Sequence, residues 1–481
     1  MTLLIRNTTI VTGDDAGAIH YGAALAVSGN RIVAIGPDAE VAVRYPGAET
    51  IDATGRAVFP GFANIHTHLV MTLARGVFED LSPPHEPPFC GGLSPIPLPE
   101  LAPAEQAAMC RLGALEAIRS GTTALLEDAV GIENYAQDMV DTGLRLVLAE
   151  RAWDRAGASI GDPSAFRRDP ALGTAGLGRI ERLHAKWNGA GDGRVRVGVS
   201  AWAPDMCSPE LLRDLRALQD RLDTVGTIHL NQIWGEVAAI QAHHNMLPSQ
   251  FLDSIGFLND RLVAAHCRCM TNEEEVILGR HRVHVAFNSA IAARRGLSPR
   301  VCELIDAGCN VGMGSDNMAE DMVEVMRTGL FMERIRRRDG RNPTPEEALR
   351  WATRNGYKAM GVRDGGWLAE GKLADFIMIR TDRAHLAPFL RAVAILVHQG
   401  QARDVEDVMV DGRWIMREGK VLTLDEARVI REAEEVADQA WARLFEANPQ
   451  YMRPDGLRPL PVVRQDGTRR GALHPVAPPR N

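Results

Sequence analysis

Residues 58–68 read VFPGFANIHTH, a short apolar run that ends in two histidines one residue apart. Alternate residues of a strand point the same way, so His66 and His68 face a common point. Seven further short apolar runs carry polar residues at or near their ends: GTTALLED (121–128), RLVLAERAW (145–153), VRVGVSAW (195–202), TVGTIHL (224–230), RLVAAHC (261–267), VHVAFNS (283–289) and CNVGMGSD (309–316). Helix-length stretches lie between them, such as APAEQAAMCRLGALEAIRSG and PRVCELIDAG, the second closing on a glycine stop. Eight strand-then-helix units over residues 58–366 predict an α/β fold, a closed parallel (β/α)₈ barrel whose chemistry sits where the strands end.

Outside that core the texture changes. Residues 1–57 hold short runs rich in Ile, Val and Thr, punctuated by Gly and Asn, with no helix-length period. The same texture returns over 367–422, in GKLADFIMIRTD and VEDVMVDGRWIMREGKVL. The two flanks predict one small β-sandwich built from both ends of the chain. Residues 423–448 read as a helix, and the Pro- and Arg-rich tail from Pro449 to Asn481 as an extended segment. The Pro- and Gly-rich stretch SPPHEPPFCGGLSPIPLPE (82–100) reads as a loop and, coming after the first barrel strand, as a candidate cover for the active site.

Composition narrows the classes of function. The formal net charge of −8 offers no broad basic field for nucleic acid, and no apolar run reaches membrane-spanning length. The N-terminus lacks the charged and apolar regions of a signal peptide. Seven scattered cysteines form no disulfide framework, and the Cys267-x-Cys269 pair has no partner at zinc-finger spacing. Reduced thiols and a cytoplasmic location are expected, with a small molecule as substrate and a homodimer or higher homo-oligomer as the assembly.

The polar residues at the strand ends carry the chemistry. His66 and His68 close the first barrel strand, His229 the fifth, His266 the sixth and Asp316 the eighth. Neutral imidazoles with one carboxylate suit Zn²⁺, or Fe²⁺ as the alternative. An open position on such an ion brings a bound water toward neutral pKa and yields hydroxide as the nucleophile. Asp316 is placed to take the water's proton, and His266 to orient the water and stabilise developing charge.

The stretch PGFANIHTHLVMTLARGVFEDL (60–81) closely resembles the first-strand motif of the amidohydrolase superfamily. More narrowly, the chain is similar to the branch of methylthioadenosine/S-adenosylhomocysteine deaminases and triazine hydrolases. The likeness continues through CSPELL (207–212), AHC (265–267), GMGSDN (312–317) and LAEGKLADFIMI (368–379). It implies one metal held by His66, His68, His229 and Asp316, with His266 beside the water. Binuclear relatives bridge two metals through a lysine on the fourth strand, and VRVGVSAW holds none.

Three departures bear on the substrate. Deaminases of this branch read H-x-x-E after the fifth strand, where the Glu shuttles a proton; here the sequence is His229-Leu230-Asn231-Gln232. A Gln amide hydrogen-bonds but does not transfer a proton at neutral pH. Glu236, four residues on, is the nearest acidic candidate to replace it, the alternative being a solvated loop or helix-start Glu. Trp202 and Asp205 stand where adenosine-type relatives carry His and Tyr, which disfavours a nucleoside. Phe287-Asn288-Ser289 replaces the usual HNP, leaving Asn288 as a substrate ligand or a loop cap. Catalysis is thus expected from His266, Asp316, Gln232 and Glu236, and substrate contact from Gln232, Asn288, Trp202 and Arg75. The reading is hydrolytic loss of an amino or alkylamino group from a nitrogen heterocycle. The alternatives are hydrolysis of an amide, cyclic amide, urea or aromatic C–Cl bond, and a metal-binding homologue without catalysis.

Overall fold

The computed structural model describes residues 2–78 and 96–461. Most of the expected loop over 82–100, and the tail beyond residue 461, lie outside the described residues. The first sixty positions form five strands, β1 (Thr2–Val11), β2 (Ile19–Ser28), β3 (Arg31–Pro37), β4 (Glu49–Asp52) and β5 (Arg56–Pro60). Eight strands follow, each in one of the eight runs: β6 (Phe62–Thr67), β7 (Thr122–Ala129), β8 (Arg145–Ala152), β9 (Val195–Ala201), β10 (Gly226–Leu230), β11 (Leu262–His266), β12 (His284–Phe287) and β13 (Asn310–Met313). They close into a parallel barrel in chain order. Both faces of these strands are covered, so nearly every residue on them is buried; Ala63, Ile65, Ala124, Leu126, Val263 and Ala265 fill the interior.

The chain returns in β14 (Phe376–Arg380), β15 (Val405–Val410), β16 (Arg413–Arg417) and β17 (Lys420–Val421). These join the N-terminal strands in one nine-stranded sheet, in the order β17-β16-β15-β14-β5-β1-β2-β3 with β4 also on β1. The seam between the two ends is the antiparallel pair β14–β5. Ile5, Ile10, Leu25, Val58, Phe376 and Met378 form a core shared by both flanks.

The run VFPGFANIH, expected as one strand, is divided at Pro60–Gly61. Proline brings no N–H to a ladder. Gly61 passes so near the second barrel strand that a Cβ there would lie 2.1 Å from Thr123 Oγ1. The accessory sheet therefore runs past residue 57 to Pro60, and the barrel begins at Phe62.

The expected C-terminal helix is Glu426–Ala447. It braces the short turn Leu69–Ala74 that leaves β6, with Trp441 Nε1 donating to Leu73 O at 2.9 Å. Arg443 reaches Glu105, and Arg111 reaches Glu432, which ties it to the helix Pro103–Arg119. Among the described residues no helix is long and apolar enough to cross a membrane.

At the opposite end of the barrel, His284 uses both ring nitrogens. Nε2 donates to Asp260 O at 3.0 Å and Nδ1 accepts from Asn310 Nδ2 at 2.9 Å. Burial, then the Lys358 charge, hold this imidazole down at about 4. The unfolded chain takes up a proton near pH 6.5 and the native state only near 4, so stability falls as pH drops through that window and levels off below it. The loss should be on the order of 3 kcal/mol, one proton over that interval. His284→Gln should flatten the dependence of the urea midpoint on pH across that window by about one proton.

Candidate active site and metal centre

The barrel closes at its carboxyl end through the backbone of the residues that carry the chemistry. Asp316 N donates to His66 O at 2.9 Å, and His68 N donates to Asp316 O at 2.8 Å. Asp316 adopts a left-handed φ of 73°, which turns its carboxylate back over the barrel mouth. Beneath this seam the buried Glu320 accepts from Thr67 Oγ1 at 2.8 Å and Asn64 Nδ2 at 3.1 Å, and pairs with the Ser315 hydroxyl. Burial raises the Glu320 carboxyl to about 8.

The four strand-end histidines converge. The His66 ring lies 4.7 Å from His68, 4.8 Å from His229 and 5.2 Å from His266, centroid to centroid. His68 Nδ1 meets Asp128 O at 2.6 Å, and His229 Nδ1 meets Trp202 O at 2.9 Å. A carbonyl only accepts, so both Nδ1 atoms carry the proton. The Arg151 guanidinium approaches His68 Nδ1 to 3.4 Å, but it donates to that same Asp128 carbonyl at 3.1 Å. Both Nε2 atoms are therefore bare lone pairs, and they face each other at 3.3 Å.

Two lone pairs so close repel unless a cation lies between them. Tetrahedral zinc with nitrogens at its ordinary bond length sets those nitrogens about 3.3 Å apart. Asp316 Oδ1 stands 3.7 Å from His68 Nε2. Both ring nitrogens of His66 are buried without a hydrogen-bond partner among the described residues. Burial, ahead of neighbouring charges, pushes His66, His68 and His229 below the ordinary imidazole pKa, which keeps them in the neutral form that ligation requires. The residues present fit a first-row divalent ion.

The structure adds residues that sequence reading passed over. Asp128, the penultimate residue of β7, falls within the same cluster. Its Oδ2 approaches His229 at Nδ1, 3.5 Å away, while its Oδ1 accepts from Ser200 Oγ at 2.7 Å and Arg151 Nε at 3.2 Å. It thus stands behind the ligand nitrogens, orienting His229. The strand-end rule that found the histidines applies equally to Asp128, the last residue of GTTALLED. Glu127 beside it accepts from Leu69 N and from the Tyr135 hydroxyl, and burial raises it to about 8. Arg268, just past β11, had no signal in periodicity or spacing; its Nη2 lies 2.9 Å from His266 Nδ1.

The expected substrate residues divide. Gln232 is buried, and its side-chain oxygen has no partner among the described residues. Asn288 Nδ2 sits 3.1 Å from His266 Nδ1, and its side chain makes no cap hydrogen bond to the helix Ser289–Arg295. Trp202 gives its carbonyl to His229 and sets its ring against Trp153. Arg75 is exposed, its Nε donating to Met318 O at 2.6 Å and its Nη2 paired with Glu116.

Glu236 takes the helix-start place expected of it, opening the helix Trp234–His244, but is fully buried rather than solvated. Nor is it free to serve substrate: Oε1 accepts from Asn231 N at 2.7 Å and Oε2 from Gln232 N at 2.8 Å. It clamps the turn that presents Gln232. Burial and the nearby Asp205 push its carboxyl well up, and Asp205, itself buried, rises to about 6. A cavity of about 460 Å³ opens beside the cluster, reaching His68, Asp128 and Arg151 at its inner end and Val70, Met71 and Leu98 along its wall.

Residues 57–415 match the model of the amidohydrolase family. A 5'-deoxyadenosine deaminase of Methanothermobacter thermautotrophicus is 33% identical over 449 residues, 90% of this chain and 98% of that protein. A 5-methylthioadenosine/S-adenosylhomocysteine deaminase of Thermococcus kodakarensis is 33% identical over 425 residues, 86% of this chain and 94% of that protein. An adenosine deaminase of Xanthomonas campestris, solved with bound zinc, superposes with a TM-score of 0.80 at 24% identity, covering 91% of this chain and 98% of its own. Atrazine chlorohydrolase of Arthrobacter aurescens gives 0.79 at 22% identity, over 90% of this chain and 100% of its own. These two structural likenesses bear on the fold.

Two outcomes test the site. Elemental analysis of purified protein should find close to one equivalent of Zn²⁺ or Fe²⁺, and His66→Ala and Asp316→Ala should each lose most of it. Two tightly held ions per chain would refute the single centre. Glu236→Gln offers one acceptor where two backbone N–H groups need one each, so the urea midpoint should report a loss of roughly 1–3 kcal/mol. Unchanged stability would refute the clamp.

Proposed function

The chain belongs to the amidohydrolase family, and from that premise we propose that His66, His68, His229 and Asp316 hold one divalent ion, zinc being the leading choice, for hydrolytic removal of an amino or alkylamino group from a nitrogen heterocycle. It is an enzyme of C–N bonds other than peptide bonds. The observation that carries the reading is the facing pair of bare Nε2 atoms on His68 and His229, 3.3 Å apart, with Asp316 beside them.

When bound, such an ion supplies an activated water and polarises the group under attack. The rest falls to the chain's own residues. His68 and His229 are locked by backbone carbonyls with their lone pairs inward. Asp316 is buried beside His68 Nε2, where it is placed to take a proton from the attacking water and return it to the leaving amine. Gln232 holds the ring through its amide, at a position fixed by Glu236. The apolar wall of Val70, Met71 and Leu98 gives the heterocycle a surface to bury.

The two relatives named above are deaminases of adenosine derivatives, so the family precedent favours an amino-bearing ring. One observation favours a second reading. With Gln232 unable to transfer a proton and both Glu236 oxygens committed to backbone, a substrate that needs no ring protonation fits the same site: a cyclic amide, a urea or an activated C–Cl bond.

A panel of pterins, triazines, purines, pyrimidines and cyclic ureas separates the two, scored for ammonia, amine, chloride and ring opening. Ammonia or amine release from a heterocycle, abolished by Asp316→Asn, is the expected result. Ring opening or chloride release alone would replace it with the second reading. On a deaminated substrate, Gln232→Glu should retain or raise turnover.

A further inference from the structure

His266 carries the same side chain as the three histidine ligands and ends a barrel strand as they do, yet its surroundings are opposite. His68 and His229 each set Nδ1 against a backbone carbonyl, an obligate acceptor. His266 sets Nδ1 against the Arg268 guanidinium, an obligate donor, at 2.9 Å. Arginine stays protonated and offers only N–H groups. A ring nitrogen that accepts from it has its lone pair there, so the proton of the neutral ring sits on Nε2.

The second neighbour agrees without deciding. Asn288 Nδ2 lies 3.1 Å from the same Nδ1, but an amide can be turned to present oxygen instead. The acceptor that could hold a proton on Nδ1, Asp316 Oδ2, is 3.7 Å away, beyond hydrogen-bond reach. Arg268 Nη2 stands 3.7 Å from the same oxygen and shares its attraction. His266 Nε2 is buried without a partner among the described residues. The backbone turn that folds Arg268 back onto the ring is costly, with left-handed φ at both His266 (79°) and Cys267 (50°). It is pinned by Arg268 N donating to Asn231 O at 3.0 Å.

We propose that Arg268 is a positioning residue that fixes the tautomer of His266, so that its Nε2–H faces the cluster as a hydrogen-bond donor and the ring is kept out of the ligand set. The carbonyls of Asp128 and Trp202 turn two histidines into ligands, and the Arg268 guanidinium turns a third into a donor. His266 then serves by donating to an oxygen beside the ion, and proton uptake from the water falls to Asp316. The proposal deepens the metal reading above and rests on it for its consequence, but the tautomer itself is measurable without metal.

Protein labelled with [¹⁵N]histidine, metal-free and zinc-loaded, should show His266 with its proton on Nε2 in two-bond ¹H–¹⁵N correlation, the resonance being assigned by its loss in His266→Gln. A proton on Nδ1 in the metal-free protein overturns the proposal whatever the enzyme's reaction. Arg268→Met should let the proton move to Nδ1, with Asn288 turning to accept it. It should lower kcat by about 10²-fold with KM little changed, the scale of a lost donor at the reacting centre. Guanidinium added to that variant should restore part of the rate, and Arg268→Lys, still a donor, should keep the Nε2–H form. An Arg268→Met protein with the wild-type tautomer and kcat would also overturn the proposal. Should that variant fail to fold, the wild-type spectrum decides alone.

Discussion

Closure of the barrel between its first and last strands is the constraint on which the site depends. His66 and His68 leave the chain some 250 residues before Asp316, and only the hydrogen bonds of β6 to the residues after β13 bring them within reach of one ion. The same seam is where burial is hardest to satisfy. Asn64, Thr67 and Ser315 all turn their side-chain donors toward Glu320 Oε2 under the ligands, while Glu320 Oε1 is buried without a partner among the described residues. A fault there would leave a buried polar group unpaired and would also move the His66–Asp316 geometry.

Polar groups behind the ligands decide what each histidine does. A buried imidazole in an apolar barrel is neutral, and a neutral ring has one donor and one acceptor whose order is set by whatever touches its far side. Backbone carbonyls from β7 and from the residue after β9 set two rings one way. A guanidinium two residues past β11 sets a third the other way. Asp128 joins the carbonyls with its own charge: burial works to raise its carboxyl pKa, but the Arg151 guanidinium leads the charges that bring it down to about 2, so it stays ionised against His229. Charge in the mouth is therefore supplied in pairs, with carboxylates and guanidiniums around neutral rings.

The accessory parts reach the site through mechanics. The nine-stranded sheet grips the barrel where β5 passes into β6 through Pro60 and Gly61, a few residues before His66. The C-terminal helix holds the turn that follows His68 through Trp441 and Leu73. The first barrel strand is thus fixed at both ends by segments from the far end of the chain.

Sequence alone determined the repeating unit and pointed to most of the residues proposed to hold the metal. Eight short, near-continuous apolar runs with polar residues near their ends are the signal of a parallel barrel, because strands covered on both faces are apolar throughout and only their ends reach solvent or substrate. His66, His68, His229, His266 and Asp316 were legible for that reason, and the loss of Glu at Gln232 was legible by comparison with a known motif. Tertiary structure decided the rest. Glu236 looked like a spare acid because spacing along a helix says nothing about which backbone amides lie opposite; folding gave both of its oxygens to Asn231 and Gln232. The partners of Arg75, Glu116 and Met318, lie far from it in sequence, and nothing in the run 60–81 announces them. Arg268 and the Asp128 carbonyl act on rings through single hydrogen bonds across different strands. Such contacts leave no period or spacing in the chain, because they are set by the angle at which one strand end meets another.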